Sequence, residues 1–202
     1  MYGLLLRSIQ AYLRATFGTA LWGRVLRLAD LPPEGFEPML SYDQPMLDRV
    51  LQAAGAELQR PVESILEDVG TYLVADPEQR SVRRLLRFGG ASFPDFLHSL
   101  EELPERTRLA LPGLDLPQIT LAEIAPGQFR LSCNCSFPHL LPVALGALRA
   151  MADDYGALVL IDPELACGPA SAGGVLRVQL LETAHGRGRG FALAGGEPSN
   201  GW

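Results

Sequence analysis

Two cysteines one residue apart, Cys133 and Cys135, and three histidines, His98, His139 and His185, are the side chains whose types could bind a metal or carry redox chemistry. On a strand, alternation puts Cys133, Cys135 and Phe137 on one face. The two cysteine Cα atoms would then stand about 6.5–7 Å apart, the outer limit for an unstrained disulfide. The pair reads first as small buried hydrophobes, and second as a soft-metal or redox pair needing Cys167 or His139 as further ligands. His98 reads as a surface or half-buried residue, His139 as a solvent-facing residue at a helix start, and His185 as a turn residue. Arg80, Arg83, Arg84 and Arg87 form a basic stripe, which reads as a solvated face or else as a docking surface for an acidic partner. Glu101, Glu102 and Glu105 gather at a helix end without forming a paired-carboxylate site. There is no nucleophile–base constellation, no glycine-rich phosphate loop before a helix and no His/Glu metal helix. The chain reads as a binder, not an enzyme.

The elements that must position these residues follow from periodicity and punctuation. Leu5, Ile9, Tyr12 and Leu13, then Leu21, Trp22, Val25, Leu26 and Ala29, are spaced for helix on either side of a break at Phe17-Gly18. Tyr42-Asp43-Gln44-Pro45 leads into a helix predicted to end near Ala54, and Arg60-Pro61 opens another that Asp76-Pro77 stops. Ser81 is expected to cap a helix over 82–88, ended by Gly89-Gly90, and Ser92 to cap one over 93–103. After Pro104 the chain reads as irregular. Residues 119–124 and 129–137 read as a hairpin joined at Ala125-Pro126-Gly127-Gln128. A long helix is expected over 140–155, with Pro142 in its first turn where the missing N–H is harmless. A short strand over 158–161 follows, and then a terminal strand pair, 175–181 with 190–193, across His185-Gly186-Arg187-Gly188.

With 202 residues, 48% of them hydrophobic and 20% charged, the chain has the composition of one globular domain. The expected division is a helical subdomain at 1–112, a sheet-containing subdomain at 113–194 and a disordered tail at 195–202. A net charge of −6 gives no electrostatic case for nucleic acid or an anionic membrane. The apolar start is interrupted by Arg7 and Arg14, and reads as neither signal peptide nor membrane span. Three cysteines are too few for a secreted disulfide framework, which points to the cytoplasm.

In order and spacing, several features together resemble the haem-nitric oxide/oxygen binding (H-NOX) family. They are Met1-Tyr2-Gly3, the Phe17-Gly18 break followed by Trp22, Tyr42-Asp43, Gly70 with Tyr72, Phe96-Leu97, Leu100 with Leu103, Pro112-Gly113 and Pro117. The agreement runs from residue 1 to about 193. The resemblance implies an α+β fold, a helical subdomain packed on an antiparallel sheet subdomain with one long helix. It also implies a sensory domain that holds protohaem between the two and reports nitric oxide, sometimes oxygen, to a kinase, cyclase or chemotaxis partner.

Carried over residue by residue, the family's proximal histidine falls at Pro104, which has no lone pair for iron and no backbone N–H. The family's Tyr-x-Ser-x-Arg run, which grips the haem propionates, falls at Cys133-Asn134-Cys135-Ser136-Phe137. A thiol and phenyl face offers buried carboxylates no charged partner, a deficit of several kcal/mol on the usual scale. Pro117 matches the proline that shapes the family's pocket, and Val143 an aliphatic distal position. The residues expected to line the pocket are Leu4, Leu5, Pro104, Pro117, Cys133, Cys135, Phe137 and Val143. No resident cofactor is expected; haem b would need a substitute axial ligand, His98, His139 or a cysteine, and His98 lies six residues and about 9 Å of helix away from Pro104. The expected function is sensory or regulatory, acting through an apolar small molecule or a signalling protein in place of conventionally ligated haem. A haem-based nitric oxide sensor with a substitute ligand and a ligand-free interaction module are the alternatives.

Overall fold

A computed structural model describes residues 3–31, 35–37, 40–110, 116–134, 139–164, 174–186 and 188–190. Helix α1 (Gly3–Leu28) is interrupted at Gly18, whose φ of 83° and ψ of 165° are not helical. That is the expected break. Asp43 caps α2 (Gln44–Leu58) by accepting the Met46 N–H at 3.1 Å, with Pro45 in the first turn. The helix runs four residues past the expected end at Ala54, straight through Gly55, and ends where Gln59 turns left-handed with its N–H on the Gly55 carbonyl. Helix α3 (Val62–Ala75) follows Pro61, and a 3-10 turn over Pro77–Gln79 leads directly into α4 (Arg80–Arg87). Ser81 therefore caps nothing, since the preceding turn already feeds the helix.

Ser92 and Asp95 form a reciprocal capping box at the start of α5 (Phe93–Ser99), which tightens into a 3-10 turn over Leu100–Glu102. The chain does not become irregular at Pro104. It enters another helix, α6 (Leu103–Ala110), with Pro104 in the first turn, where no intrahelical N–H is needed. Strands β1 (Gln118–Ala125) and β2 (Gln128–Asn134) form the expected hairpin, and α7 (Leu140–Tyr155) has the expected bounds. Strand β3 (Leu158–Glu164) is longer than expected and accommodates Pro163 because it lies at a sheet edge. Strand β4 (Gly174–Glu182) is the last among the described residues.

The strands form one antiparallel sheet in the order β1-β2-β4-β3. Strand β4 thus lies between β2 and β3 and is not half of a terminal pair; Gly190 is outside any strand, and 191–193 lie outside the described residues. Phe129 and Leu131 of β2 pair in register with Val178 and Leu176 of β4, and all four are buried on one face of the sheet. That face meets Phe93, Phe96, Leu97, Leu145, Leu148 and Met151 in a sheet-side core. Burying each of these large side chains is worth about 1.5–3 kcal/mol. A second core, built by α1, α2 and the first turns of α3, centres on Leu6, Ile9, Leu13, Leu47, Leu51 and Ile65.

Helix α7 joins the two cores. Val143 packs against the helical one, and Leu145 and Leu148 are buried in the sheet-side one. It can do so because it meets α3 backbone to backbone. A Cβ on Gly70 would stand 2.9 Å from the Ala147 nitrogen and closer still to the Val143 carbonyl oxygen, and a Cβ on Gly146 would collide with the Glu67 carbonyl.

Candidate sensor site and its polar surroundings

Pro104 is buried in the first turn of α6, beside Leu100 and Leu103 of the sheet-side core. One turn further on, Thr107 is 1% exposed, and its hydroxyl has no hydrogen-bond partner among the described residues. Arg106 instead donates to the Ser99 carbonyl, closing α6 back onto the end of α5. Glu101, in the turn before Pro104, accepts the Leu121 N–H of β1 at 3.0 Å. The acidic cluster therefore contributes a tether between turn and sheet.

Pro117 is half-buried one residue before β1. Cys133 is half-buried and has the strand parity of the interior residues Phe129 and Leu131. In register it stands between Ile119 of β1 and Gly174 of β4. Gly174 is small for a reason: a Cβ there would stand 2.6 Å from the Leu141 side chain of α7. Leu5 and Val143 both pack against the helical core, and Leu4 is half-buried. The structure thus brings Leu5 and Val143 to one side of α7, and aligns Pro104, Pro117 and Cys133 with the other core. Cys135, Phe137 and Cys167 lie outside the described residues.

A residue that sequence reasoning passed over organises the far end of α7. Asp154 is 2% exposed. Arg83 of α4 holds it through Nε and Nη2 at 2.9 and 2.8 Å, and Arg87 lies 3.5 Å from its other oxygen. The Arg87 guanidinium also stacks 3.9 Å over the Tyr155 ring. Burial raises the Tyr155 pKa, and its hydroxyl donates to the Gly90 carbonyl at 3.0 Å. Arg83 and Arg87 therefore point inward, because the buried carboxylate draws them; the stripe is not a solvated face along its whole length. The signal was present in the sequence. Asp154 follows Met151 by three residues, placing a carboxylate on an otherwise apolar helical stripe.

A sequence profile described as haem-NO-binding matches residues 2–162. The chain belongs to this haem-NO-binding family. Among curated relatives, soluble guanylate cyclase gcy-31 of Caenorhabditis elegans is 25% identical over 117 residues, 58% of this chain and 17% of the relative. Soluble guanylate cyclase 89Db of Drosophila melanogaster is 23% identical over 124 residues, 61% of this chain and 18% of the relative. The chain thus spans less than a fifth of the length of these relatives. An H-NOX protein from S. oneidensis in the Fe(II)NO ligation state has the same fold. It gives a TM-score of 0.73 over 89% of this chain and 99% of its own, at 17% identity. The haem-NO-binding family is a sensor family, and this domain is of the sensing type and not a catalytic one.

Position 104, to which the family resemblance assigns the iron ligand, carries a proline. Pro104 offers iron no electron pair. Two of the three histidines pair with carboxylates and the third is exposed. His98 is exposed on α5, with its ring edge-on to Phe129 at 6.0 Å. His139 is the N-cap residue of α7, and its Nε2 meets Asp48 of α2 at 2.8 Å. That half-buried clamp between α7 and α2 corrects the expectation of a solvent-facing residue; Asp48 lies across the domain junction and draws the ring inward. His185, in the turn after β4, pairs with Glu182 at 2.9 Å. Among the described residues no three His, Cys, Asp or Glu side chains converge to hold a metal, and no helix is long and apolar enough to cross a membrane.

Proposed function

We propose that this haem-NO-binding domain is a sensory or regulatory module that works without the family's iron–histidine bond, and responds instead to an apolar small molecule or to protein contact. One observation carries the reading: a buried prolyl ring occupies position 104, where the family resemblance places the iron ligand. The helix has not been lost with the histidine. Helix α6 forms, buries the Pro104 face and ties itself to α5, and the turn before it holds β1 through Glu101, so the scaffold that would present a ligand is intact around a residue that cannot bind iron. Two further features support it. His139 is committed to Asp48, and the interior face of β2 presents Cys133 beside aliphatic neighbours.

The pocket residues in this reading are Leu4, Leu5, Pro104, Pro117, Cys133, Cys135, Phe137 and Val143. The output is a signalling protein of the cyclase, kinase or chemotaxis type in the cytoplasm, as the family resemblance and the cyclase relatives suggest. In this reading the domain is residues 1–194, with the subdomains meeting near 112.

The test is an absorption spectrum of the purified chain after incubation with haem and desalting, beside Pro104→His. The expected result is no retained Soret band in the unaltered chain. A stoichiometric band there would overturn the reading, and substitution of His98, His139 and the cysteines would then locate the ligand. A band appearing only with Pro104→His would show that a haem-sized pocket persists.

A further inference from the structure

Residues 183–190 carry glycine at 186, 188 and 190, and after β4 the chain turns back across the C-terminal end of α7. A helix end leaves its last carbonyls without intrahelical partners. Here the Gly186 N–H donates to the Gly156 carbonyl at 3.0 Å, and the Arg189 N–H to the Asp154 carbonyl at 2.9 Å. Gly188 is pressed so close that a Cβ would stand 2.9 Å from the Asp154 oxygen and from the Tyr155 backbone. The Arg189 guanidinium reaches the Ala75 carbonyl at the end of α3, at 3.2 Å. From the other side, Arg83 of α4 divides its guanidinium between the Asp154 carboxylate and the Gly190 carbonyl, the latter at 3.3 Å. The same buried carboxylate that orients Arg83 therefore sets its grip on this segment.

We propose that residues 183–190 form an exit strap, a latch seated on the joined ends of α3, α4 and α7 that passes their relative position to the chain beyond residue 190. The segment adds no rung to the sheet, and its described residues are all exposed. It is held by a few polar bonds to three helices rather than by apolar burial, which puts it at the low-stability end of the fold. Those bonds are near 3 Å and short-ranged, so a movement of about an ångström at α4 or α7 breaks them while β4 stays in its ladder. Val74 at the end of α3, Leu85 and Leu86 of α4, and Met151 and Ala152 of α7 all pack in the sheet-side core, so the strap is seated only when these three helix ends hold their present relation. Release of the strap and movement of these helix ends must then be coupled in both directions.

Amide exchange followed by NMR on the full 202-residue chain tests this. Gly188→Ala leaves the ion pair alone and pries the strap off. The expected result is at least a tenfold faster exchange of the Gly186 and Arg189 amides, with β4 and the first three turns of α7 unchanged. The last-turn amides of α3, Val74 and Ala75, should quicken in parallel. Arg189→Gln, at an exposed position, removes only the Ala75 bond and should produce the same pattern more weakly; it stands in should Gly188→Ala fail to fold. Unchanged strap exchange in both variants overturns the proposal. So does loss of protection along all of α7, which would make the strap part of the fold, and so does a released strap with an unaltered α3 end, which would remove the coupling.

Discussion

Gly70 of α3 and Gly146 of α7 let two helices that each reach into both cores touch along their backbones, each glycine facing the main chain of the other helix. Thr71 reinforces the crossing, its hydroxyl lying within hydrogen-bonding distance of both the Glu67 and the Gly146 carbonyls, at 3.2 and 3.3 Å. An added methyl at Gly146 would have to displace backbone, which cannot yield as a flexible side chain can. Gly146→Ala is expected to lose at least about 3 kcal/mol in urea unfolding. Gly23 in α1 supplies the contrast, because the nearest atom to its added Cβ is the end of Arg27 at 3.8 Å. Gly23→Ala should gain about 0.5–1 kcal/mol from helix propensity alone. Equal effects at the two sites would refute the close-crossing account.

Asp154 is the next prediction. A carboxylate buried between two guanidiniums is held in place by them, and removing it strands both cations. Asp154→Ala should lower unfolding free energy by about 3–5 kcal/mol. Arg83→Gln should lose less, since Arg87 remains near the carboxylate. A cycle of the two single changes and the double should show strong non-additivity.

Tyr12 gives a pH prediction. Its hydroxyl donates to Asp68 at 2.9 Å, and burial together with that anion pushes its pKa from 10.0 up to about 12. The folded state therefore holds the phenolic proton more tightly than the unfolded chain. Stability from this group is complete below pH 10 and falls as pH rises through about 12. Alkaline titration followed by tyrosine absorbance should reveal a phenol ionising near pH 12 that is absent in Tyr12→Phe. If Tyr12→Phe removes no phase near pH 12, the Tyr12–Asp68 contact does not hold in solution.

Much of the architecture was legible because single residues enforce it locally. Gly18 breaks α1, Asp43 and Ser92 cap helices, and Pro142 sits in the first turn of α7. What could not be read depended on distant partners. Nothing near His139 in sequence announces Asp48, and nothing near Arg83 announces Asp154, 71 residues away. Pro104 was read as a break because proline commonly ends a helix. The 3-10 turn before it resets the helix start, which makes the same proline a first-turn residue. At the candidate site, residue types at Pro104, Pro117, Cys133 and Val143 could be placed by family position. Their division between the two sides of α7 needed three dimensions.

The last prediction concerns Thr107, one turn beyond Pro104. A buried hydroxyl without a partner loses its bonds to water and regains none in the folded state, a deficit of about 1–3 kcal/mol. Valine keeps the branched shape and removes the polar atom, so Thr107→Val should raise stability by about 1 kcal/mol or more. Most changes at a position 1% exposed go the other way, which makes the sign diagnostic. Thermal unfolding of the two proteins side by side decides it. A loss on Thr107→Val would mean that the hydroxyl is bonded in solution, as a threonine in a helix can bond the carbonyl four residues back, here that of Leu103. A gain would establish that this face of α6 carries an unsatisfied donor against the sheet-side core.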